Sequence, residues 1–384
     1  MDIGMQTRQE VVLITGASGF IGSTLVQRLA ERYQLVGLDR QGMASAMIDT
    51  MSVDLSRGEQ VRGALREVRA RHGTRLAAVI HLAAYYDLSG EPNPRYQEIT
   101  LRGTQHLLGA LDGFTVEQFI FSSTMLVHAP VKPGEYLTED APLAPTWAYP
   151  RSKMLAEDLI KGWRSDMPVV LLRLAGVYDD NCHSAFLAQQ IARIYERQWA
   201  SHVYPGDLHS GQAALHVEDL ASAVEQLIER RHQLPRELTL LLGEPETMSY
   251  GEIQAELGDL IHTEHWETRT VPKSLAKLGL GLQAWLGPLV PGTLDQGEAP
   301  FLRPWMVTQA DAHYALDIRR AQTLLGWTPQ HRLRETLPRM VAALKADPAA
   351  CYASNGLTPP HWLRHRPAWP SADTTQGSDF RPPV

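Results

Sequence analysis

The stretch Val11-Val12-Leu13-Ile14-Thr15-Gly16-Ala17-Ser18-Gly19-Phe20-Ile21-Gly22 constrains this chain more than any other. Its apolar run reads as a strand buried on both faces. The glycines then turn the chain. Ile21, Leu25 and Leu29 recur on one face of a helix predicted from about Phe20 to Arg32. A strand, a glycine turn and a helix in that order let the backbone approach a pyrophosphate. The free N–H groups of the helix's first turn then point at the anion.

The same alternation continues along the first half. Strands are predicted at Leu35–Leu38, Ala77–Leu82, Gln118–Ser122 and Val169–Leu174, and helices at Arg57–Arg71, Thr104–Leu111 and Tyr149–Trp163. Repeated strand–helix units with right-handed crossovers make an α/β fold with a doubly wound parallel sheet. After Gly176 the elements shorten and Pro and Gly become more frequent. Leu238–Leu242 reads as a strand returning to the main sheet, and Arg319–Leu325 and Leu333–Leu344 as late helices. The predicted division is a nucleotide-binding domain over 8–177 with returning segments near 213–243, and a smaller α+β substrate domain over 178–212 and 244–345. The segment 346–384 holds seven prolines and reads as a poorly ordered or surface-hugging tail, with Trp362 and Trp369 as anchors.

Composition narrows the function classes. Of 384 residues, 44% are hydrophobic, enough for a core and against disorder throughout. Acidic residues outnumber basic ones, 43 to 36, giving a net charge of −7, and no long basic run occurs, so no nucleic-acid partner is expected. The chain has two cysteines, Cys182 and Cys351, which suits a reducing compartment and excludes a disulfide scaffold. The cysteines stand in no CxxC spacing, and no metal site is expected. Cys182-His183 reads as loop or pocket lining rather than a nucleophilic pair. No secretory leader and no uninterrupted transmembrane run is apparent, so the expected location is cytoplasmic. The charge-poor segment 274–294, with Trp285, reads as an insertion packed on its own domain, or as a flap over an apolar substrate or on a membrane surface.

Two further features carry chemistry. The second strand ends at Asp39, where a carboxylate accepts both ribose hydroxyls of NAD and repels a 2′-phosphate. The neighbouring Arg40 leaves NADP as the alternative. Asp54-Leu55 could flank the adenine, or Asp54 could serve as a plain helix cap. Tyr149 and Lys153 stand four apart at the start of a predicted helix, which puts phenol and ammonium on one face. That charge, with a positive nicotinamide, is expected to lower the tyrosine pKa toward neutrality and make the phenolate a base.

The spacing Gly16-x-x-Gly19-x-x-Gly22, with Tyr149-x-x-x-Lys153 and the run Ser122-Ser123-Thr124, resembles the extended branch of the short-chain dehydrogenase/reductase family, of epimerase/dehydratase type. Further matches, extending the resemblance over about Val11 to Leu344, are His81-Leu82-Ala83-Ala84, Arg102-Gly103-Thr104, Arg173, His216-Val217-Glu218-Asp219 and Leu325-Gly326-Trp327. The resemblance implies a Rossmann-type domain holding NAD through Gly16, Ser18, Gly19, Phe20, Ile21, Gly22, Asp39, Arg40, Asp54, Leu55, Leu82, Ala83, Ala84, Ser122, Tyr149 and Lys153. It implies Thr124, Tyr149 and Lys153 as the catalytic residues. It also implies a homodimer through helices near Tyr96–Leu111 and Tyr149–Trp163.

Departures from the family bear on the substrate. Members that dehydrate nucleotide sugars usually carry Asp-Glu directly after the active threonine; here stand Met125-Leu126. Epimerases tend to carry Arg-Asp before the His-Val-x-Asp stretch; here stand Ala213-Ala214. Thr100 replaces a common Asn. The wall is short of the cations a diphosphate wants and gains Met125, Leu126, Tyr85 and Tyr86. The resulting expectation is hydride transfer between NAD and a secondary alcohol or ketone of a largely apolar small molecule. The alternatives are a nucleotide-sugar epimerase with tightly held NAD, and a non-enzymatic NAD-sensing protein.

Overall fold

The computed structural model describes residues 9–42, 45–87, 90–163, 167–274 and 304–364. Seven parallel strands form its main sheet. They are β1 (Val11–Thr15), β2 (Gln34–Asp39), β3 (Asp49–Ser52), β4 (Ala78–His81), β5 (Phe119–Thr124), β6 (Val169–Leu174) and β7 (Glu237–Leu242), in the spatial order β7-β6-β5-β4-β1-β2-β3. β1, β4, β5 and β6 are buried along their whole length, as strands covered on both faces must be. The strand order reverses beside β1, so the loops after β1, β4 and β5 open onto one crevice at the carboxyl edge.

Among the described residues the longer helices are α1 (Phe20–Leu29), α2 (Gly58–His72), α3 (Gly103–Ala110), α4 (Ala148–Lys161), α5 (Ala188–Tyr195), α6 (Val217–Glu229), α7 (Tyr250–His262), α8 (Arg319–Leu325), α9 (Leu333–Ala346) and α10 (Pro348–Ser354), with a six-residue helix at Pro304–Gln309. A π-helical stretch, Tyr96–Arg102, leads into α3, so the helix predicted from Thr104 starts earlier than its periodicity indicates. Gly103 lets this helix sit against the loop after β3: a methyl group there would come within 3.1 Å of Leu55 Cβ. α2 and α3 cover one face of the sheet with Val61, Leu65, Val68, Leu107 and Leu108, packed with Leu13, Val36 and Phe121.

The chain divides into two compact units. One comprises Met1–Gly176, Gly211–Thr247 and Ala312–Arg332; the other comprises Val177–Ser210, Met248–Asp311 and Leu333–Val384. Two sequence-based boundaries need correction. Segment 312–332 belongs to the sheet-bearing unit rather than the smaller one, because Trp327 Nε1 donates to Asp219 O and the Gln330 and His331 N–H groups donate to the Asp219 carboxylate. The chain after Ala346 is not a loose tail up to residue 364. It forms α10 and a helical turn at His361–Arg364, with Cys351, Tyr352 and Leu363 buried. Pro348 fits the first turn of α10, where no N–H is needed, and Asp347 caps that helix through the Ala350 N–H. Trp362 packs near Tyr195, ring centres 5.8 Å apart. Trp369, the rest of the tail and residues 275–294 of the apolar segment lie outside the described residues.

The glycine turn is tightly fixed. Gly16 has φ +76°, a left-handed conformation that favours glycine. A methyl group on Gly22 would stand 2.2 Å from Gly16 O and 2.8 Å from the Ala17 backbone. Gly22→Ala is therefore expected to cost about 1–3 kcal/mol of stability. Urea unfolding of the purified protein checks this, and an unchanged midpoint would contradict the packing described.

Candidate active site

The crevice is built from the loops at the carboxyl ends of the strands around β1. After β1, Gly16 N–H donates to Leu38 O (2.9 Å), which ties the turn to β2. Ser18 and Gly19 are exposed at the start of α1, while Phe20 and Ile21 are half-buried. At the end of β2, Asp39 accepts from Ser18 N–H (3.0 Å) and Gln41 N–H (3.3 Å), which fixes its carboxylate beside the turn. Arg40 points outward and is exposed. Asp54 accepts from the Ser56 N–H and hydroxyl, and this hydrogen bonding holds its carboxyl below the usual range. Leu55 is part of the core.

A chain of hydrogen bonds connects the turn to the strand beside it. Thr15 Oγ1 lies 2.7 Å from His81 Nδ1, and His81 Nε2 lies 2.9 Å from Thr104 Oγ1. Ala83 N–H donates to Thr15 Oγ1 (3.2 Å), and Thr104 donates to Thr100 O. Complete burial lowers the His81 pKa to about 3, so the ring is neutral and passes one hydrogen bond in each direction. Leu82, Ala83 and Ala84, half-buried, follow from it into the crevice.

The loop after Ala84 separates its two tyrosines. Tyr85 packs edge-on against Tyr96 (4.8 Å), and its hydroxyl is held by Asp87 and Asn93. Tyr86 instead meets Tyr149 edge-on at 5.0 Å, with Trp147 tilted on Tyr149 at 5.5 Å. Sequence reasoning did not single out Trp147. Its place two residues before the tyrosine, in the extended residue that begins α4, was the available signal.

Thr124 ends β5. It accepts from Leu126 N–H (3.3 Å), and its hydroxyl is close enough to the Tyr149 phenol to favour the ionised form. Met125 is buried and Leu126 half-buried. Lys153, one helical turn after Tyr149, is buried and donates to Ser122 O at 2.6 Å; its Nζ lies 6.0 Å from the Tyr149 ring centre. The structure thus brings Ser122, Thr124, Tyr149 and Lys153 together. Burial, with Tyr86 and Tyr96 nearby, pushes the Tyr149 pKa above its ordinary value, and the Thr124 hydroxyl opposes this only in part. Burial also lowers the Lys153 pKa to about 7, against the pull of Glu157. A desolvated base facing a desolvated acid needs further positive charge before the phenolate forms.

Behind these groups lies a buried ionic cluster. Glu157 accepts from Ser123 Oγ (2.5 Å) and from Arg173 through both Nε (3.1 Å) and Nη2 (2.7 Å). Arg173 Nη1 also reaches His128 Nε2 and Glu139 O, each at 2.9 Å.

The profile of the NAD dependent epimerase/dehydratase family matches residues 12–242, and the chain belongs to that family. Among similar proteins, 3 beta-hydroxysteroid dehydrogenase type 7 of Homo sapiens is 24% identical over 383 residues, covering 89% of this chain and 97% of the relative. UDP-glucose 4-epimerase 4 of Oryza sativa subsp. japonica is 30% identical over 180 residues, covering 42% of this chain and 48% of the relative. A solved structure of the Thermus thermophilus UDP-glucose 4-epimerase in complex with NAD is 22% identical. It has a TM-score of 0.63 and covers 87% of this chain and 99% of that one. The fold is that of the extended short-chain dehydrogenases.

The buried lysine has a consequence for stability. Its folded pKa, about 7, lies below the ordinary 10.5. Between those values the unfolded chain holds more protons, so stability rises with pH across that window. Below pH 7 the full cost of burying the charge is present. Lys153→Met is expected to melt higher than the parent in ligand-free protein below pH 7. That advantage, on the order of a few kcal/mol, fades toward pH 10.5. Melting curves of both proteins across this range check the sign.

Proposed function

We propose that this protein moves a hydride between NAD and a secondary alcohol or ketone on a largely apolar small molecule. The observation that carries the reading is the apolar surround of the reacting hydroxyls. Tyr86 and Trp147 flank Tyr149, and Met125-Leu126 follow Thr124 where sugar-dehydrating relatives usually carry acids. The steroid dehydrogenase similar to this chain along nearly its whole length supports the same substrate class.

Gly16, Ser18, Gly19, Phe20, Ile21 and Gly22 would hold the cofactor's pyrophosphate. Asp39 would hold its adenine ribose, with Arg40, Asp54 and Leu55 flanking the adenine. Leu82, Ala83, Ala84 and Ser122 would line its path toward Tyr149 and Lys153. The residues fit the group, because the turn 16–22 leaves Ser18 and Gly19 exposed at the start of α1 and Asp39 is held beside it. When bound, NAD supplies the hydride acceptor and a positive ring. Thr124 and Tyr149 then hold the substrate oxygen, and Tyr149 exchanges the proton with it. Lys153 lies behind the phenol and stabilises its anionic form. Tyr86 and Leu126 touch the substrate's apolar body; Tyr85 and Met125 shape the wall from behind. A homodimer through the Tyr96–Ala110 region and α4 is part of this reading, and Leu155 on α4 is 43% exposed. So is a cytoplasmic location.

A nucleotide-sugar epimerase is the second reading, supported by the similarity of part of this chain to the rice epimerase. It uses the same hydroxyls but retains its NAD. A thermal-shift series with saturating NAD, adding UDP, UDP-glucose and dTDP-glucose in turn, separates the two. No shift beyond NAD alone is expected, whereas a ligand at 100 times its dissociation constant would add about 2.7 kcal/mol. A clear shift would pass the lead to the epimerase. Among apolar ketones and alcohols followed by NADH absorbance, Tyr149→Phe is expected to lower turnover about 10²–10⁴-fold, with NAD affinity nearly unchanged by calorimetry. Equal turnover would sink the mechanism.

A further inference from the structure

The two cysteines of this chain, 169 residues apart in sequence, face each other in the smaller unit, with Sγ atoms 2.9 Å apart. Both are buried, Cys182 completely and Cys351 to 6% exposure. Neither has a place in the hydride chemistry. We propose that Cys182 and Cys351 are a reversible dithiol–disulfide pair, a redox modification site that clamps the C-terminal helix α10 to the loop 179–184.

The contact is built from both sides. On the loop side, Asp179 accepts from the Asn181 and His183 N–H groups (2.9 and 2.8 Å), which folds the turn around Cys182. Cys182 itself has φ +66°, a left-handed conformation costly for a residue with a side chain. On the helix side, Asn355 joins the two segments. Its Nδ2 donates to Cys182 O (2.7 Å) and Cys351 O (2.8 Å), and its Oδ1 accepts from Ser184 N–H (2.9 Å). Tyr352, next to Cys351, donates to Glu196 at the end of α5 (2.5 Å). These links hold the sulfurs together whether or not they are bonded. A disulfide needs them at about 2.03–2.05 Å, and at 2.9 Å each sulfur is the other's immediate neighbour.

The step balances with a low-molecular-weight disulfide as oxidant. Cys351, the more accessible of the two, is also the easier to ionise, because the Cys182 thiol beside it favours its thiolate. That thiolate attacks one sulfur of the oxidant; a mixed disulfide forms and one small thiol leaves. Cys182 Sγ then attacks the Cys351 sulfur, the protein disulfide forms and the second small thiol leaves. The protein loses two protons and two electrons, and one oxidant molecule becomes two thiols. A reducing thiol pool reverses each step, so the pair is open in a reducing compartment and closes as the pool oxidises.

The chain's having only these two cysteines makes the test direct. Purified full-length protein is incubated with oxidised glutathione, and its non-reduced digest is read by mass spectrometry. The expected result is a peptide joining Cys182 to Cys351 within a monomeric chain, with a melting temperature that rises on oxidation and falls again with dithiothreitol. The rise follows because the bond closes a long loop in the unfolded chain. Cys351→Ser should show neither the linked peptide nor an oxidant-dependent melt. Two unmodified thiols, glutathione adducts without the internal bond, or a bond between two chains would each overturn the proposal. The parent protein alone decides the question, so the outcome does not hinge on the folding of any variant, nor on the substrate reading above.

Discussion

One carboxylate sets the geometry of the reacting groups. Glu157 has no exposed side-chain surface, and its partner Arg173 is 4% exposed. A charge at such a depth is tolerated only when a partner and hydrogen bonds replace its water. Arg173 supplies the paired fork from β6, and Ser123 supplies a hydroxyl from β5. The helix that carries Tyr149 and Lys153 is thereby locked to the strand that carries Thr124. The reacting residues need no direct bond to each other to keep their places. The cluster reaches further through Glu139, which accepts from Leu241 N–H on β7. The far edge of the sheet is thus anchored to the same ionic centre.

The site shows a protein working against its own stability. A neutral histidine, a lysine with a displaced proton equilibrium and a phenol held in its acid form lie within a few residues of β4, β5 and α4. None is an economical choice for a core, and an apolar filling would fold more firmly. The arrangement makes sense when a cationic ring enters beside them. A positive charge beside them would favour the phenolate form of Tyr149 and the neutral form of Lys153.

The sequence was most legible where periodicity and burial coincide. Val169–Leu174 occupies the predicted strand residue for residue, and the glycine turn stands between the predicted strand and helix. Tyr149, Lys153 and Thr124 could be read as a group because each lies at the end of a regular element. What escaped reading depends on pairing across distance. Arg173 can be matched as a motif residue, but its pairing with Glu157 inside the core shows only when the side chains meet. Tyr85 and Tyr86 are adjacent in sequence, but only their hydrogen bonds and ring contacts separate the structural one from the one beside Tyr149. The helix at Pro348–Ser354 was not legible because proline marks both loops and first helical turns. Only the burial of Cys351 and Tyr352 tells the two apart.

Each compact unit is drawn from three separate stretches of chain, and those stretches interleave. On the ribosome, β1 to β6 emerge first, but β7 follows only after a length of the other unit has been made. Asp219 then waits for the segment carrying Trp327, which comes about a hundred residues later. Neither unit can finish folding before the other has largely been synthesised, so the usual domain-by-domain order is closed to this chain. The nascent protein must carry an open sheet edge and unfilled apolar surface through much of its synthesis. For the same reason no single cut in the gene yields two self-contained halves.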